Sequence, residues 1–262
     1  MRLTRPDRDL FYTLSGPRDA PLVALGHNFA ATSEIWAAQL PALRDYRVLR
    51  WDMRGHGQSA LGATPCRFTD VAGDLVAILD ELNAPTCHYC GVSMGGMVGQ
   101  HLALAFPDRV SSLALVNTTS SYDMAQREAW DQRVDRVNRE GVAPLHDELM
   151  ARWFAPASLD AKLPGVGLMS DAYLAFSPDG FTACASMIRD MDTTERLGEI
   201  TCPTLIVAGA LDPATPPVMS EVLREGIDDS RMYVVDNVAH LCQVEAPERL
   251  NALYTAFLRD VT

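Results

Sequence analysis

No apolar run in this sequence approaches the ~20 residues that a membrane-spanning helix needs, so no membrane-embedded segment is expected. The N-terminus, Met1-Arg2-Leu3-Thr4-Arg5-Pro6-Asp7-Arg8-Asp9, lacks an apolar h-region. No signal peptide is therefore expected, and a cytoplasmic location is the default. Clustered Lys and Arg are also missing. With a net charge of −12 and no basic stretch free of compensating acids, the chain is a poor candidate for nucleic acid, whose phosphates draw on such clusters. Metal-ligand spacing is nearly absent. Of six cysteines only Cys87-His88-Tyr89-Cys90 forms C-x-x-C, and on a strand residues three apart point to opposite faces. No second C-x-x-C and no H-x-x-x-H exists to complete a zinc site. The thiols read as reduced, small apolar filler, as a reducing compartment would leave them. There is no internal repeat and no low-complexity tract.

What remains is an ordinary globular composition, 48% hydrophobic and 21% charged. Its 262 residues suffice for one large α/β domain with a small insertion. Strand and helix signals alternate from the start. Leu10 to Leu14 alternates weakly before the turn Ser15-Gly16-Pro17. Pro21 to Gly26 reads as a strand, Ser33 to Leu43 as a helix, Arg47 to Trp51 as a strand. Phe68 to Leu82 has helical periodicity, with Asp70, Asp74 and Asp80 on its polar side. A strand up to Gly91, a helix from Gly95 to Phe106 and a strand from Leu113 to Val116 follow. Alternation of this kind implies parallel strands joined by helical crossovers.

From about Ser121 the rhythm stops. Tyr122 to Arg139, Pro144 to Phe154, Leu168 to Phe176 and Gly180 to Met191 are all helix-like, with no strand between them. It returns with strand Thr204 to Ala208, helix Val218 to Gly226, strand Met232 to Val235 and helix Pro247 to Arg259. The expected organisation is a core from 1–120 and 193–262, with 121–192 inserted as a helical cap.

Gly91-Val92-Ser93-Met94-Gly95 is a G-x-S-x-G pentapeptide, which chance produces in roughly one chain in ten of this size. Its setting between strand and helix is what counts. A serine on such a turn has its hydroxyl pushed clear of the backbone, and the flanking glycines permit close packing. Serine is a poor nucleophile without a base, and the base needs a third group to fix its tautomer. His88 falls inside a strand, His101 inside a helix, His146 on the insertion, and His56 in the turn after Asp52. His27 ends an apolar strand. His240 lies just past the last strand, where the loops of a parallel sheet gather around a ligand. It is the expected base.

The acid should precede it, and Asp212 stands in the loop ending the previous strand. Asn117, at the alternative strand end, supplies no charge. An oxyanion hole would take the backbone N–H of Met94 and one from His27-Asn28-Phe29. Phe29 is the choice, with Asn28 its rival. This chemistry calls for no cofactor and no metal.

These residues resemble those of the α/β-hydrolase superfamily, over nearly the whole chain. Asp52-Met53-Arg54-Gly55-His56-Gly57-Gln58-Ser59 is similar to the family's D-x-R-G-x-G-x-S turn, a structural signature that gives Arg54 and His56 no catalytic role. The stretch Gly91 to Gln100, Asn117-Thr118, and Ala239-His240-Leu241 followed by Val244-Glu245-Ala246-Pro247-Glu248 most resemble the 3-oxoadipate enol-lactonases. Two stretches depart from that branch. Gly26-His27-Asn28-Phe29-Ala30-Ala31-Thr32 stands where an S-N-S-L-G-T-like run is usual, and Cys242-Gln243 replaces Ser-Asn after Ala-His-Leu.

The resemblance implies an α/β-hydrolase fold and hydrolysis of a small carboxylic ester or lactone through an acyl-enzyme on Ser93. A general carboxylesterase, a C–C bond hydrolase, a cofactor-free perhydrolase and a ligand receptor share the same constellation. Ser93 excludes the aspartate-nucleophile dehalogenases and epoxide hydrolases. A substrate carboxylate would call for a cation from the cap. Arg127, Arg133, Arg136 and Arg139 are interleaved with acids and read as a self-paired, solvated helix face. No oligomeric interface is legible.

Overall fold

A computed structural model describes all of residues 1–262. Four apolar runs form the middle of one sheet: β3 (Leu22–Gly26), β5 (Cys87–Val92), β6 (Val110–Val116) and β7 (Thr204–Gly209). Nearly every residue in them is buried, as expected of parallel strands covered on both faces. With β1 (Arg2–Thr4), β2 (Asp9–Ser15), β4 (Arg47–Trp51) and β8 (Ser230–Val235), they make an eight-stranded sheet in the order β1-β2-β4-β3-β5-β6-β7-β8. Only β1 with β2 and β2 with β4 pair antiparallel. The parallel register sets Ala24 beside Tyr89, Cys90 beside Ala114 and Leu115 beside Ile206, which brings the C-terminal ends of these strands to one rim.

Helices α1 (Phe68–Glu81) and α2 (Met94–Ala105) pack on each other beside the sheet. Helices α8 (Pro217–Gly226) and α10 (Pro247–Val261) pack against its β7 end. Between β6 and β7 the chain is helical throughout: α3 (Met124–Glu140), α4 (His146–Trp153), α5 (Pro156–Asp160), α6 (Pro164–Leu174) and α7 (Pro178–Arg189). The first of these starts on a reciprocal cap in which Asp123 accepts from the Gln126 amide and Gln126 accepts from the Asp123 amide. No helix is long and apolar enough to cross a membrane.

The departures from the sequence reading have local causes. Ser33–Gln39 is a 3₁₀ segment, because Pro41 has no N–H to continue an α-helical ladder and the chain tightens to three-residue bonds such as Leu40 N–H to Ala37 carbonyl. Strand β6 begins at Val110, three residues before its apolar run, since Ser112 pairs with His88 across the sheet. Strand β1, helix α5 and the four-residue α9 (Cys242–Glu245) are too short to carry a period.

Asp74, expected on the polar side of α1, is fully buried. One carboxylate oxygen meets Arg8, and the other accepts from Arg54 Nε at 2.7 Å. Arg54 also donates to the Asp70 carbonyl, so this acid fixes the turn after β4 against α1. Asp74→Asn would leave the buried Arg54 guanidinium without a counter-charge and Arg8 with Asp7 as its one remaining partner, an expected loss of about 3–5 kcal/mol. Urea unfolding measures it. A loss within ~0.5 kcal/mol, the range of ordinary surface changes, would show that the turn does not need the charge.

Candidate active site

Ser93 joins β5 to α2 with φ 53° and ψ −117°, a conformation that a side chain disfavours. Two close approaches impose it. A Cβ on Gly91 would collide with the Gly95 carbonyl, and one on Gly95 with the Gly26 carbonyl. The turn is also pinned from β6: Ser93 N–H donates to the Val116 carbonyl at 2.9 Å, and Thr118 Oγ1 donates to the Ser93 carbonyl at 2.8 Å.

The three residues singled out by strand order meet here. Ser93 Oγ lies 2.8 Å from His240 Nε2, and His240 Nδ1 lies 2.8 Å from Asp212 Oδ2. An ionised carboxylate only accepts, so Nδ1 carries the proton and Nε2 is left bare to accept from the serine hydroxyl. Asp212 is almost completely enclosed. Oδ1 accepts from the amides of Ala214 and Thr215, and Oδ2 from Thr215 Oγ1 and Asn117 Nδ2. Burial alone would push this carboxyl up. The charge and hydrogen bond of His240, then the bonds from Asn117 and Thr215, outweigh that and hold it below the usual carboxylate range.

His240 is held by α4 as well as by the segment that follows it. Its N–H donates to the Trp153 carbonyl. The Ala239 N–H donates to Glu245, whose other oxygen accepts from Ala155 N–H and Ser158 Oγ.

The loop after β3 is braced by two buried imidazoles. His27 Nδ1 contacts the Asn28 carbonyl at 2.8 Å while its Nε2 accepts from Met53 N–H at 2.9 Å. His56 Nε2 accepts from Ala30 N–H at 3.0 Å, with Nδ1 against the Arg54 carbonyl. Burial lowers both groups below the ordinary histidine value, so both brace the loop as neutral rings. Within the loop, Phe29 N–H donates to no protein atom, and the Asn28 side-chain amide donates to the Phe29 carbonyl. The Phe29 ring packs edge-on against Phe176, Phe181 and Trp130. Met94 opens α2 directly after the serine. The remaining histidines bond elsewhere: His88 to Ser112, His101 to the Met97 carbonyl, His146 to Asp147 and Ser170.

Ser93 and His240 open on a cavity of about 270 Å³ between the sheet rim and helices α3 and α4, walled by Phe29, Trp130, Leu149 and Trp153. A larger open cleft of about 1170 Å³ lies between residues 61–69 and α7, and includes neither Ser93 nor His240. The smaller cavity contains what the sequence reading did not single out, a pair of arginines. Arg127 and Arg136 do pair along the helix surface, with Asp192 and with Glu140 and Glu148.

Arg133 departs from the expected solvated face. It is largely buried, lines the cavity, and its Nε has no hydrogen-bond partner, the Glu148 carboxylate standing 3.6 Å away. Arg152, in the last turn of α4, lines the same cavity. Burial, then the charge of Arg152, lowers the Arg133 guanidinium from its ordinary value. Spacing along α3 could not show this, because the docking of α3, chiefly against α7, decides which arginine faces the cavity.

A family model described as alpha/beta hydrolase fold matches residues 21–247. The chain belongs to the α/β-hydrolase superfamily. It is 31% identical to 3-oxoadipate enol-lactonase 2 of Acinetobacter baylyi, over 98% of this chain and 96% of the relative. Among solved structures it is similar to the enol-lactonase from Burkholderia xenovorans LB400, with a TM-score of 0.92 and 27% identity over 96% of this chain and 97% of that one. A thermophilic esterase from Thermogutta terrifontis, solved with malate bound, gives a TM-score of 0.92 and 27% identity over 100% and 99%. Within the superfamily, the chain falls in the branch of the 3-oxoadipate enol-lactonases.

The backbone at Ser93 predicts a trade between stability and chemistry. Ser93→Gly removes the hydroxyl but relieves the positive φ, and should stabilise the fold by about 0.5–2 kcal/mol. Thermal or urea unfolding reads this directly, and a destabilised glycine variant would contradict strain at the turn.

Proposed function

We propose that this protein is a serine hydrolase that cleaves a small carboxylic ester or lactone through an acyl-enzyme on Ser93. The observation that carries this reading is the unbroken hydrogen-bonded path from Ser93 Oγ through His240 to Asp212, opening on a small cavity with both apolar and charged walls. On this reading 121–192 is a cap over a core of 1–120 and 193–262, and the cap helices shape the substrate's surroundings.

Ser93 Oγ attacks the carbonyl carbon while His240 Nε2 takes its proton. Asp212 stabilises the imidazolium without being protonated. The N–H groups of Met94 and Phe29 hold the developing oxyanion, each donor being worth roughly 3–4 kcal/mol. The C–O bond to the leaving oxygen then breaks as His240 returns the proton. Water, deprotonated by the same imidazole, attacks the acyl carbon and frees Ser93. In an enol lactone the leaving oxygen stays tethered to the acyl group, and the released enol relaxes to the ketone. An enol is a good leaving group, so His240 has less work to do as an acid.

Arg133 and Arg152 support a substrate that carries a carboxylate. Two guanidiniums line the cavity with one carboxylate residue, Asp123, while Glu148 approaches Arg133 at 3.6 Å and no carboxylate pairs with Arg152, whose charge is left to meet an acidic group of the substrate. A carboxylate there gains charge-assisted hydrogen bonds.

A panel of 3-oxoadipate enol-lactone, acyl-lactones and short p-nitrophenyl esters tests the reaction. Ser93→Ala should lower kcat by about 10⁴-fold or more, and hydrolysis surviving in that variant would sink the reading. Arg152→Ala should raise KM about 10–100-fold for acid-bearing substrates, the worth of a charged hydrogen bond, and far less for neutral esters. An equal penalty on both would remove the carboxylate assignment.

A further inference from the structure

Three consecutive residues at the end of β6 bond to Ser93, to Asp212 and to the residue before His240. The Val116 carbonyl accepts from Ser93 N–H, and Thr118 Oγ1 donates to the Ser93 carbonyl. Between them, Asn117 Nδ2 donates twice, to Asp212 Oδ2 at 3.0 Å and to the Ala239 carbonyl at 3.0 Å. Ala239 precedes His240. One amide group therefore ties the loop of the acid to the loop of the base.

We propose that Asn117 is a positioning residue for acyl transfer, whose amide NH₂ holds Asp212 and His240 in mutual register. The proposal rests on the serine-hydrolase reading above. Two features of Asn117 make a merely structural role a poor explanation. It is fully buried, yet its Oδ1 has no hydrogen-bond partner, and an unmade acceptor of that kind is a cost. Its backbone sits at φ 47°, which asparagine tolerates but glycine would adopt more freely.

The orientation of the amide is dictated by its neighbours. Turned over, Oδ1 would face a carboxylate and a carbonyl, both acceptors. The residue type also matters for charge. Aspartate is nearly the same shape, but would set a second carboxylate about 3 Å from Asp212. Two carboxylates that close cannot both ionise freely, and one holds its proton to higher pH. Asparagine supplies the geometry while leaving Asp212 as the only charge behind His240.

Asn117→Gly and Asn117→Asp separate these roles, with steady-state kinetics on a short p-nitrophenyl ester across pH and fluorophosphonate labelling of Ser93. Glycine keeps the positive φ and deletes the amide. The expected result is a fall in kcat of about 10–100-fold with KM within about threefold, the scale of a slightly misplaced base. Aspartate is expected to move the acidic limb of kcat/KM upward by about half a pH unit or more. A residue that only shapes the backbone predicts a glycine variant with kcat within about twofold of the parent and an aspartate variant with the parent's pH profile. Either result overturns the proposal. Should one variant fail to fold, the other and its labelling rate decide the matter. A parent that neither turns over nor labels overturns the acyl-transfer reading and this proposal with it. An active parent with unchanged variants overturns this proposal alone.

Discussion

Backbone rests on backbone where β3, β5 and α2 meet, and the site depends on that contact. With no side chain at Gly91 or Gly95, the start of α2 sits against the end of β3, and the only path left for the chain carries Ser93 through a positive φ. The hydroxyl is thereby lifted from the turn toward His240. The same packing sets the loop after β3 beside the first amides of α2, so nucleophile and backbone donors come from one junction. Any side chain at the junction would displace both together.

Around this rigid point the polar groups are arranged so that few titrations matter. Asp212 accepts five hydrogen bonds, counting His240, and stays ionised despite burial. His27 and His56 are kept neutral by burial and spend their bare nitrogens on backbone amides. His240 is braced on one side by Asp212 and on the other by the Trp153 carbonyl and, through Ala239, by Glu245. Arg133 and Arg152 line the cavity on which Ser93 and His240 open.

The alternating part of the fold was legible because parallel strands are buried on both faces and show as continuous apolar runs, and because Pro, Gly and Asp mark their ends. Ser93, Asp212 and His240 were legible for the same reason. Each stands at a strand end, and topology brings such ends together at hydrogen-bond distance. What failed to show in the sequence depends on which way a helical side chain points after docking. Asp74 looks solvated in the period of α1, yet lies between Arg8 and Arg54. Arg133 looks like its neighbours on α3, yet turns into the cavity with Arg152, a residue no pattern singled out. In the sequence Asn117 stands out as the uncharged residue at the alternative strand end and as part of the Asn117-Thr118 resemblance, neither of which shows its bonding. Its hydrogen bonds cross more than 90 positions of sequence, and no local pattern encodes them.

Covalent capture on the serine tests the acyl-transfer reading most directly. The protein is mixed with a slowly deacylating ester or lactone, quenched in acid within the first turnovers, and measured by intact-mass spectrometry with peptide mapping. The expected result is a mass increase equal to the acyl group on the peptide containing Ser93, formed before steady turnover and lost as product appears. Product release with no adduct, or an adduct on another residue formed at the turnover rate, would contradict acyl transfer to Ser93.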